Sequence, residues 1–464
     1  MVFSSLIFLY CFLPASVLLY FVVPGIQFKN FVLLIFSLVF YAWGEPVWIC
    51  LLLFSSILDF CIGILIDRYR QQRWSRWMLY LSILVNLSLL MTFKYADFFT
   101  ANFNFLFSTN VPLPGIALPI GISFYTFQTL SYSIDVYRNE VPVQRNFINY
   151  MVYVSMFPQL VAGPIVRYSE IVGSIQHRKS EWSLIQSGIN RFCLGLFKKA
   201  FIANTASILV DKYLEFRFEN LSSPEAWFGI AMFSVQIYFD FSGYSDMAIG
   251  MGRIFGFQFL ENFRHPYAAV SVADFYKRWH MSLGRFFRDY VYIPLGGNRK
   301  YQERNIMVVW LLTGFWHGAS WNFVVWGGFF GCCMVLEKWL ATPLNYVPRI
   351  LKHSYTLILI VFSRAIFYFV DSEKLLLMIK NLFHSTHAIG DGFVGDLYGY
   401  IFFFMLVIIF CIPWDESYPN THPIHIRATK LYNSTSPIIN LLLLTVSTIM
   451  LADDTYNPFI YFRF

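Results

Sequence analysis

Two histidines, His280 and His317, are the side chains of this sequence best suited to proton-transfer chemistry. His280 lies in RWHMSL, and His317 lies in GFWHGAS, where Gly314 and Gly318 allow a ligand or another backbone to approach closely. A neutral imidazole, with an ordinary pKa of about 6.5, can take a proton from a hydroxyl that attacks an ester or thioester and return it to the leaving group. Neither histidine has Cys, Asp or Glu at the spacing of a metal site, so acyl transfer is favoured over metal binding. The alternative, in which each histidine only hydrogen-bonds within a helix bundle, stays open.

Basic residues surround His280 and continue towards His317. Because Arg and Lys suit phosphate groups, these side chains are candidates for binding a phosphorylated acyl donor. If residues 274–290 form one helix, most of them lie opposite an aromatic stripe, which predicts an amphipathic helix at the membrane surface, capped by Ser271. A simple anchor on anionic lipid would show the same pattern. The candidates are Lys277, Arg278, Arg285, Arg288 and Arg299.

A second polar group of residues is expected to support the histidines. The segment IYFDFSGYSDMAIG places Asp240 and Asp246 within an otherwise apolar helix, and Trp316 and Asn322 flank His317. Carboxylates inside a membrane are costly and commonly line a cavity or site. The alternative is that these polar side chains only hydrogen-bond helices together. A supporting role is therefore predicted rather than a catalytic one.

Composition defines the surroundings in which these residues must act. The 464 residues are 57% hydrophobic, 20% aromatic and only 13% charged, with a mean hydropathy of +0.54, whereas soluble proteins carry about 25% charged residues. The net charge of +7 is spread over short loops between apolar runs, which fits retention of loops in the cytoplasm and excludes a nucleic-acid partner. The seven cysteines show no spacing typical of a disulfide framework or zinc site. The chain is thus predicted to be a polytopic membrane protein.

Apolar runs predict about 11 to 13 membrane segments, some of them re-entrant. The first run, residues 3–23, lacks the features of a cleaved signal peptide and is expected to be a retained helix. The loop at residues 68–76 holds four arginines and should face the cytoplasm. Between residues 147 and 164, prolines and a glycine interrupt an apolar run, which indicates a re-entrant segment. We expect a single membrane-embedded domain, residues 1–464, with a catalytic core at about 110–330.

Six motifs in order along the chain are similar to those of the membrane-bound O-acyltransferase superfamily. Within that superfamily the chain resembles the bacterial membrane subunit of alginate and other exopolysaccharide O-acetylation systems. The likeness extends from FYAWGEP to the terminal NPFIYFRF, and it departs from the usual pattern just before Arg364 and at Arg463. The motifs are FPQLVAGPIVRYSEI, YFDFSGYSDMAIG, ENFRHPY, RWHMSL, DYVYIPLGGNR and WHGASWNFVVWG.

The resemblance implies an all-α polytopic fold, with a ring of tilted helices around a thin catalytic centre. His317 would lie where a cytoplasmic donor route meets an outer funnel for the acceptor, and His280 would be the second family histidine, on the cytoplasmic side. The donor would be acetyl-CoA, used as a substrate, with no bound cofactor and no metal. The acetyl group would move towards hydroxyls of an exported polysaccharide through a periplasmic or cell-surface acyltransferase partner. The location implied is the lipid bilayer of a bacterial inner membrane, crossed many times.

Two other functions remain open. The nearer is D-alanyl transfer to teichoic acid, which would use an aminoacyl carrier protein as the donor; YIPLGGNR favours the polysaccharide branch. The more distant is a polysaccharide or lipid transporter, a class that often shows paired halves with broken helices. Such paired halves are not found in this sequence, and a transporter would have no need of the two histidine motifs.

Overall fold

A computed structural model describes residues 1–160, 163–384, 387–414, 423–453 and Phe459. Within these ranges the regular structure is helical, and no strand is present. The chain divides into two compact units, one of residues 1–192 and 244–260, the other of residues 193–243 and 261–464. The expectation of a single domain with a core at about 110–330 therefore stays a prediction. Arg463, where the family resemblance departs, lies outside the described residues.

The first unit is built from helices of membrane-spanning length and shorter connecting helices. Helix α6 (Ile122–Arg138) is almost wholly buried, whereas α4 (Arg73–Leu90) exposes much of its apolar surface. The helices are α1 (Leu13–Val22), α2 (Ile26–Gly44), α3 (Ile49–Arg68), α4 (Arg73–Leu90), α5 (Ala96–Phe107), α6 (Ile122–Arg138), α7 (Phe147–Ser155), α8 (Phe157–Leu160), α9 (Tyr168–Gln176) and the first part of α10 (Trp182–Phe197).

The interrupted apolar run between residues 147 and 164 is broken as predicted. Helix α7 ends at Ser155, Met156 leaves helical geometry, and α8 is a single short turn. The side chains on both sides of the break are fully buried, so protein covers this irregular backbone. Residues 161 and 162, in the same predicted segment, lie outside the described residues.

The second unit contains the remaining helices. Helix α12 runs through both units, and residues 223–243 belong to this one. The helices are α11 (Asn204–Val210), α12 (Ser223–Ile254), α13 (Val272–Arg278), α14 (Met281–Phe287), α15 (Gln302–His317), α16 (Trp321–Trp339), α17 (Ala341–Asn345), α18 (Arg349–Tyr368), α19 (Ser372–His384), α20 (Asp391–Gly399), α21 (Ile401–Cys411) and α22 (Pro423–Asp453).

Length and composition identify the chain as a multi-pass membrane protein. Among the described residues, six helices are long and apolar enough to cross a bilayer, or seven if the bent pair α20 and α21, with an angle of 56° between them, forms one span. The sequence count of about 11 to 13 also included shorter and re-entrant segments. The six spans are residues 26–44, 49–68, 73–107, 182–216, 349–368 and 434–452.

The prediction of a single helix over residues 274–290 is wrong, because the structure has two helices there. Helix α13 ends at Arg278, and α14 begins at Met281. Between them His280 adopts a left-handed backbone conformation, with φ of 45°, which no α-helix can accommodate. The predicted cap is present, since the Ser271 hydroxyl accepts a hydrogen bond from the Asp274 amide at 2.9 Å. The break turns His280 out of any continuous helix face.

Candidate active site

A small cavity in the second unit brings His280 and His317 together. Its volume is about 90 Å³, and it is lined mainly by aromatic and aliphatic side chains. Helix α15 contributes one wall and the α13–α14 segment contributes the other. Two histidines that line one small cavity can share the proton transfers of a single reaction. The lining residues are Tyr276, Trp279, His280, Leu283, Gly284, Phe287, Val309, Trp310, Thr313, His317 and Trp326.

Contacts distant in sequence hold the segment that carries His280. Glu337 of α16 accepts hydrogen bonds from the backbone amides of Val272 and Ala273, at 2.8 and 3.3 Å. A carboxylate at a helix N-terminus is stabilised by the free amides and the helix dipole. At the other end, the Asn262 carbonyl accepts the Met281 amide at 2.9 Å. The start of α13 and the start of α14 are therefore each tied to a separate part of the unit.

Asn262 determines which ring nitrogen of His280 carries the proton. Its side-chain oxygen Oδ1 accepts from the Ser282 amide at 3.1 Å and from the Ser282 hydroxyl at 2.8 Å, and it lies 3.2 Å from His280 Nδ1. Because an amide oxygen can only accept, Nδ1 must carry the hydrogen and donate it. In the neutral ring this leaves the lone pair on Nε2.

His280 is held in its neutral form. The ring is 3% exposed, and burial, followed by the positive charge of Arg285, lowers its pKa from 6.5 to about 3. Both causes disfavour the imidazolium, one by desolvation and one by like-charge repulsion. At neutral pH His280 is therefore a hydrogen-bond acceptor or a base, and it is not a stored proton donor.

His317 ends helix α15 and lies among aromatic rings. Its ring contacts those of Trp316, Trp326 and Phe367, with centroids 5.0, 5.1 and 5.4 Å away. The Trp316 ring also lies 5.9 Å from that of His280, so it stands beside both histidines. These rings exclude water from the imidazole, which strengthens electrostatic interactions within the cavity.

Asn322, predicted as a supporting residue, hydrogen-bonds to the backbone of α18. Its amide nitrogen donates to the carbonyls of Ile366 and Phe367, both at 3.2 Å. This joins the start of α16 to the end of α18, where Phe367 contacts the His317 ring. Asn322 therefore positions a wall of the site.

The five candidate phosphate-binding residues have different surroundings. Arg278 pairs with Asp274 at 3.0 Å, and Arg288 pairs with Asp289 at 2.6 Å. Arg285 is half-buried and close enough for its charge to act on His280. Lys277 and Arg299 are exposed. These positions leave Lys277 and Arg299 as the members most accessible to a soluble donor.

The two predicted supporting carboxylates each form an ion pair. Asp240 and Lys199, both almost fully buried in the second unit, are 2.7 Å apart. In the first unit, Asp246 accepts from Arg191, with the shortest contact 2.8 Å. Both pairs join α12 to the segment that begins with α10, so they hold helices together. Within the described ranges, no group of three or more His, Cys, Asp and Glu side chains is arranged to hold a metal ion.

Several residues of the site were missed in the sequence. Val309 and Thr313 precede His317 by two turns and one turn of α15, so helical spacing alone could have identified them. Asn262 is 18 positions from His280, and only the fold brings the two together. Arg364 was noted only as a departure from a motif. It is buried, with its guanidinium 4.7 Å from the Trp279 ring, and it supports this wall by a cation–π contact.

Two buried histidines on one tryptophan-lined cavity, in a multi-pass helical protein, are an arrangement suited to proton transfer away from water. The chain belongs to MBOAT, the membrane-bound O-acyltransferase family, whose pattern matches residues 138–380. It is therefore an O-acyltransferase. This match includes the cavity residues and both histidines.

Individual relatives agree with the family. The chain is 34% identical to the probable alginate O-acetylase AlgI of Pseudomonas putida, with 100% of both chains covered. It is 34% identical to a peptidoglycan O-acetyltransferase of Helicobacter pylori, over 85% of this chain and 80% of the relative. A teichoic acid D-alanyltransferase of Streptococcus thermophilus is 27% identical over 59% of this chain and 67% of the relative.

Proposed function

We propose that this enzyme transfers an acetyl group from cytoplasmic acetyl-CoA towards hydroxyls of an exported polysaccharide. The observation that carries the proposal is the shared cavity of His280 and His317, in a chain that belongs to an acyltransferase family. The full-length similarity to an alginate O-acetylase and the similarity to a peptidoglycan O-acetyltransferase support acetyl as the group and a polysaccharide as its destination.

His317 is the general base of this proposal. Its imidazole takes the proton from the acceptor hydroxyl while the hydroxyl oxygen attacks the thioester carbonyl carbon. The carbon–sulfur bond then breaks, the acetyl group becomes an ester of the acceptor, and the sulfur of coenzyme A leaves with the proton that His317 returns. Transfer of the acetyl group to His317 itself, as a covalent intermediate, is the less favoured variant.

His280 contributes a neutral acceptor nitrogen on the donor side. With Nδ1 donating to Asn262, the Nε2 lone pair can accept a hydrogen bond from a polar hydrogen of the donor or acceptor. Its lowered pKa keeps this role available throughout the physiological pH range. Asn262 acts as a positioning residue, because it fixes the tautomer and the orientation of the ring.

The dimensions of the cavity suit a short acyl group. A volume of about 90 Å³ accepts the reacting end of an acetyl thioester, whereas a long fatty-acyl chain would require an extended apolar channel. The bulky, charged remainder of coenzyme A would stay outside, with its phosphates near exposed Lys277 and Arg299. Tryptophans around the reacting end would exclude the water that otherwise hydrolyses a thioester.

The acceptor side involves a second protein in this proposal. A periplasmic or cell-surface acyltransferase would receive the acetyl group and place it on the polymer, which makes this chain one half of a relay. The enzyme would lie in the bacterial inner membrane. This location gives it acetyl-CoA on one side and the exported polymer on the other.

A complementation experiment tests the identity of the transferred group. In a host strain that lacks this chain, the wild-type protein is expected to restore acetyl esters on the exported polysaccharide, measured by NMR of the isolated polymer. His317→Ala, confirmed by immunoblot to be in the membrane, is expected to restore none. Restoration of D-alanyl esters on teichoic acid would overturn the proposal in favour of the aminoacyl alternative. Full acetylation by His317→Ala would overturn the role of that histidine.

A further inference from the structure

A groove in the first unit, far along the sequence from the histidines, is lined by three segments, two of which contribute arginines. It has a volume of about 950 Å³ and lies where the loop after α3, the start of α4 and the end of α6 meet. We call it the arginine groove. Its charged side chains are Arg70, Arg73 and Arg76, and Tyr137 and Asn139 line its far side. In the described part of the chain, no acidic side chain lines it.

The arginine groove has an excess of positive charge. Arg70 is partly neutralised, because it pairs with Asp67 at 2.9 Å, and the same carboxylate is shared with Arg145 at 3.2 Å. Arg73 and Arg76 are exposed and pair with no carboxylate of the described residues. Arg76 lines the groove together with Tyr137. Two positive charges that no described carboxylate neutralises therefore remain for an anion.

The start of helix α4 adds to this positive potential. The helix is 18 residues long and begins at Arg73. Its N-cap residue, Gln72, makes no side-chain capping bond, and no acidic residue occurs in the first turn. The first backbone amides of such a helix are hydrogen-bond donors at the positive end of the helix dipole, an arrangement that favours phosphate.

A second groove continues from the first along the membrane face of α4. It has a volume of about 670 Å³, and we call it the aromatic groove. Arg73, Trp77 and Tyr80 line both grooves, so the polar and apolar parts are continuous. Trp77 is 61% exposed and Leu84 is 65% exposed, in a helix whose composition is that of a membrane span. On a helix of membrane-spanning composition, exposed apolar surface of this kind is suited to contact with lipid.

We infer that the two grooves together form a binding site for one anionic phospholipid. The phosphate and headgroup occupy the arginine groove, and an acyl chain lies in the aromatic groove. A soluble phosphate compound would use only the first groove, whereas an amphiphile uses both. The arginine-rich loop is predicted to face the cytoplasm, and anionic lipids give that side of a membrane its negative surface potential. The site would fix the depth of α4 in the bilayer.

Lipid retention measured by native mass spectrometry tests this inference. The purified full-length protein in detergent is incubated with phosphatidylglycerol or phosphatidylcholine of the same chain length, and the lipid-bound fractions are compared. Wild type is expected to retain phosphatidylglycerol preferentially. The double variant Arg73→Gln/Arg76→Gln is expected to retain phosphatidylglycerol roughly fivefold less for each arginine removed. Its retention of phosphatidylcholine is expected to equal that of wild type. Trp77→Ala is expected to weaken retention of both lipids.

Arg349→Gln is the matched control, because Arg349 is an exposed arginine at the start of a different candidate span, α18. It is expected to retain phosphatidylglycerol like wild type. Equal retention by the double variant and wild type would overturn the inference. Displacement of phosphatidylglycerol by coenzyme A or inorganic phosphate, with no effect of Trp77→Ala, would also overturn it by showing a site for free anions. A histidine variant that abolishes transfer should keep the lipid, so this inference and the proposed function fail independently.

Discussion

The crossing of α15 and α16 offers a sharp test, because two adjacent glycines on α16 have opposite surroundings. A Cβ added at Gly327 would collide with the Trp310 carbonyl oxygen of α15 and would lie 3.2 Å from the Gly314 Cα. A Cβ added at Gly328 would meet only the end of the Leu311 side chain, at 3.7 Å, which is ordinary contact. Gly327→Ala and Gly328→Ala are therefore a matched pair.

The expected magnitudes follow from packing. Alanine is favoured over glycine within a helix by about 1 kcal/mol, and both variants gain this. Gly327→Ala alone must push one helix backbone away from another, and overpacking of this kind costs about 1–3 kcal/mol. The free energy of unfolding should thus be lower in Gly327→Ala than in Gly328→Ala by that amount. Because α15 ends at His317, a displacement on the order of 1 Å should reduce acyl transfer by about 100-fold.

Two assays measure these effects in detergent. Thermal unfolding can be followed with a thiol-reactive dye after the exposed cysteines have been blocked in the folded protein, since Cys193 and Cys333 are buried and have free thiols. Acyl transfer can be followed by the release of coenzyme A from acetyl-CoA. Gly328→Ala is expected to match or exceed the wild-type unfolding temperature and to keep its activity. Equal stability and equal activity in the two variants would refute the close backbone contact and its role in placing His317.

Two further predictions concern buried ionisable groups. Folding lowers the pKa of His280 below its ordinary value of 6.5. As the pH falls, His280 therefore becomes protonated in the unfolded chain at a higher pH than in the folded protein, which favours unfolding. The contribution of His280 to stability should therefore fall by about 1.2 kcal/mol between pH 7 and pH 5.5, and His280→Gln should remove that part of the pH dependence in thermal unfolding. Lys199→Met or Asp240→Leu should each destabilise the protein by about 3–5 kcal/mol, whereas the double variant should recover most of the loss. If the double variant instead lost as much stability as the two single variants together, the two charges would not act as a pair.

The sequence predicted those features that depend on local spacing. Hydropathy indicated a multi-pass membrane protein, and the helices confirm this. Ser271 was recognised as a cap because capping is decided within one turn, and the amide of Asp274 does bond to it. The six ordered motifs, two of which hold the histidines, resembled the family to which the chain belongs. For the membrane segments and the cap, the deciding interaction involves neighbours along the chain or the summed composition of a segment.

What the sequence could not predict depends on contacts between distant residues. The aromatic stripe of residues 274–290 favoured one continuous helix, but Asn262 and Glu337 bind the two halves separately and His280 takes a left-handed conformation between them. The tautomer and low pKa of His280 arise from the same contacts and from burial. The contact of Arg364 with the Trp279 ring is likewise tertiary, because the two residues are 85 positions apart in the sequence.

The central claim is that His317 carries the proton transfer of an acyltransferase. The most direct test is release of coenzyme A from acetyl-CoA by the purified protein, with wild type beside His317→Ala and His384→Ala, the latter an exposed histidine of the same unit. Each variant is first shown to be folded by its thermal unfolding transition. Release by wild type and His384→Ala, with none by His317→Ala, is the predicted result. Release by His317→Ala at the wild-type rate would contradict the account.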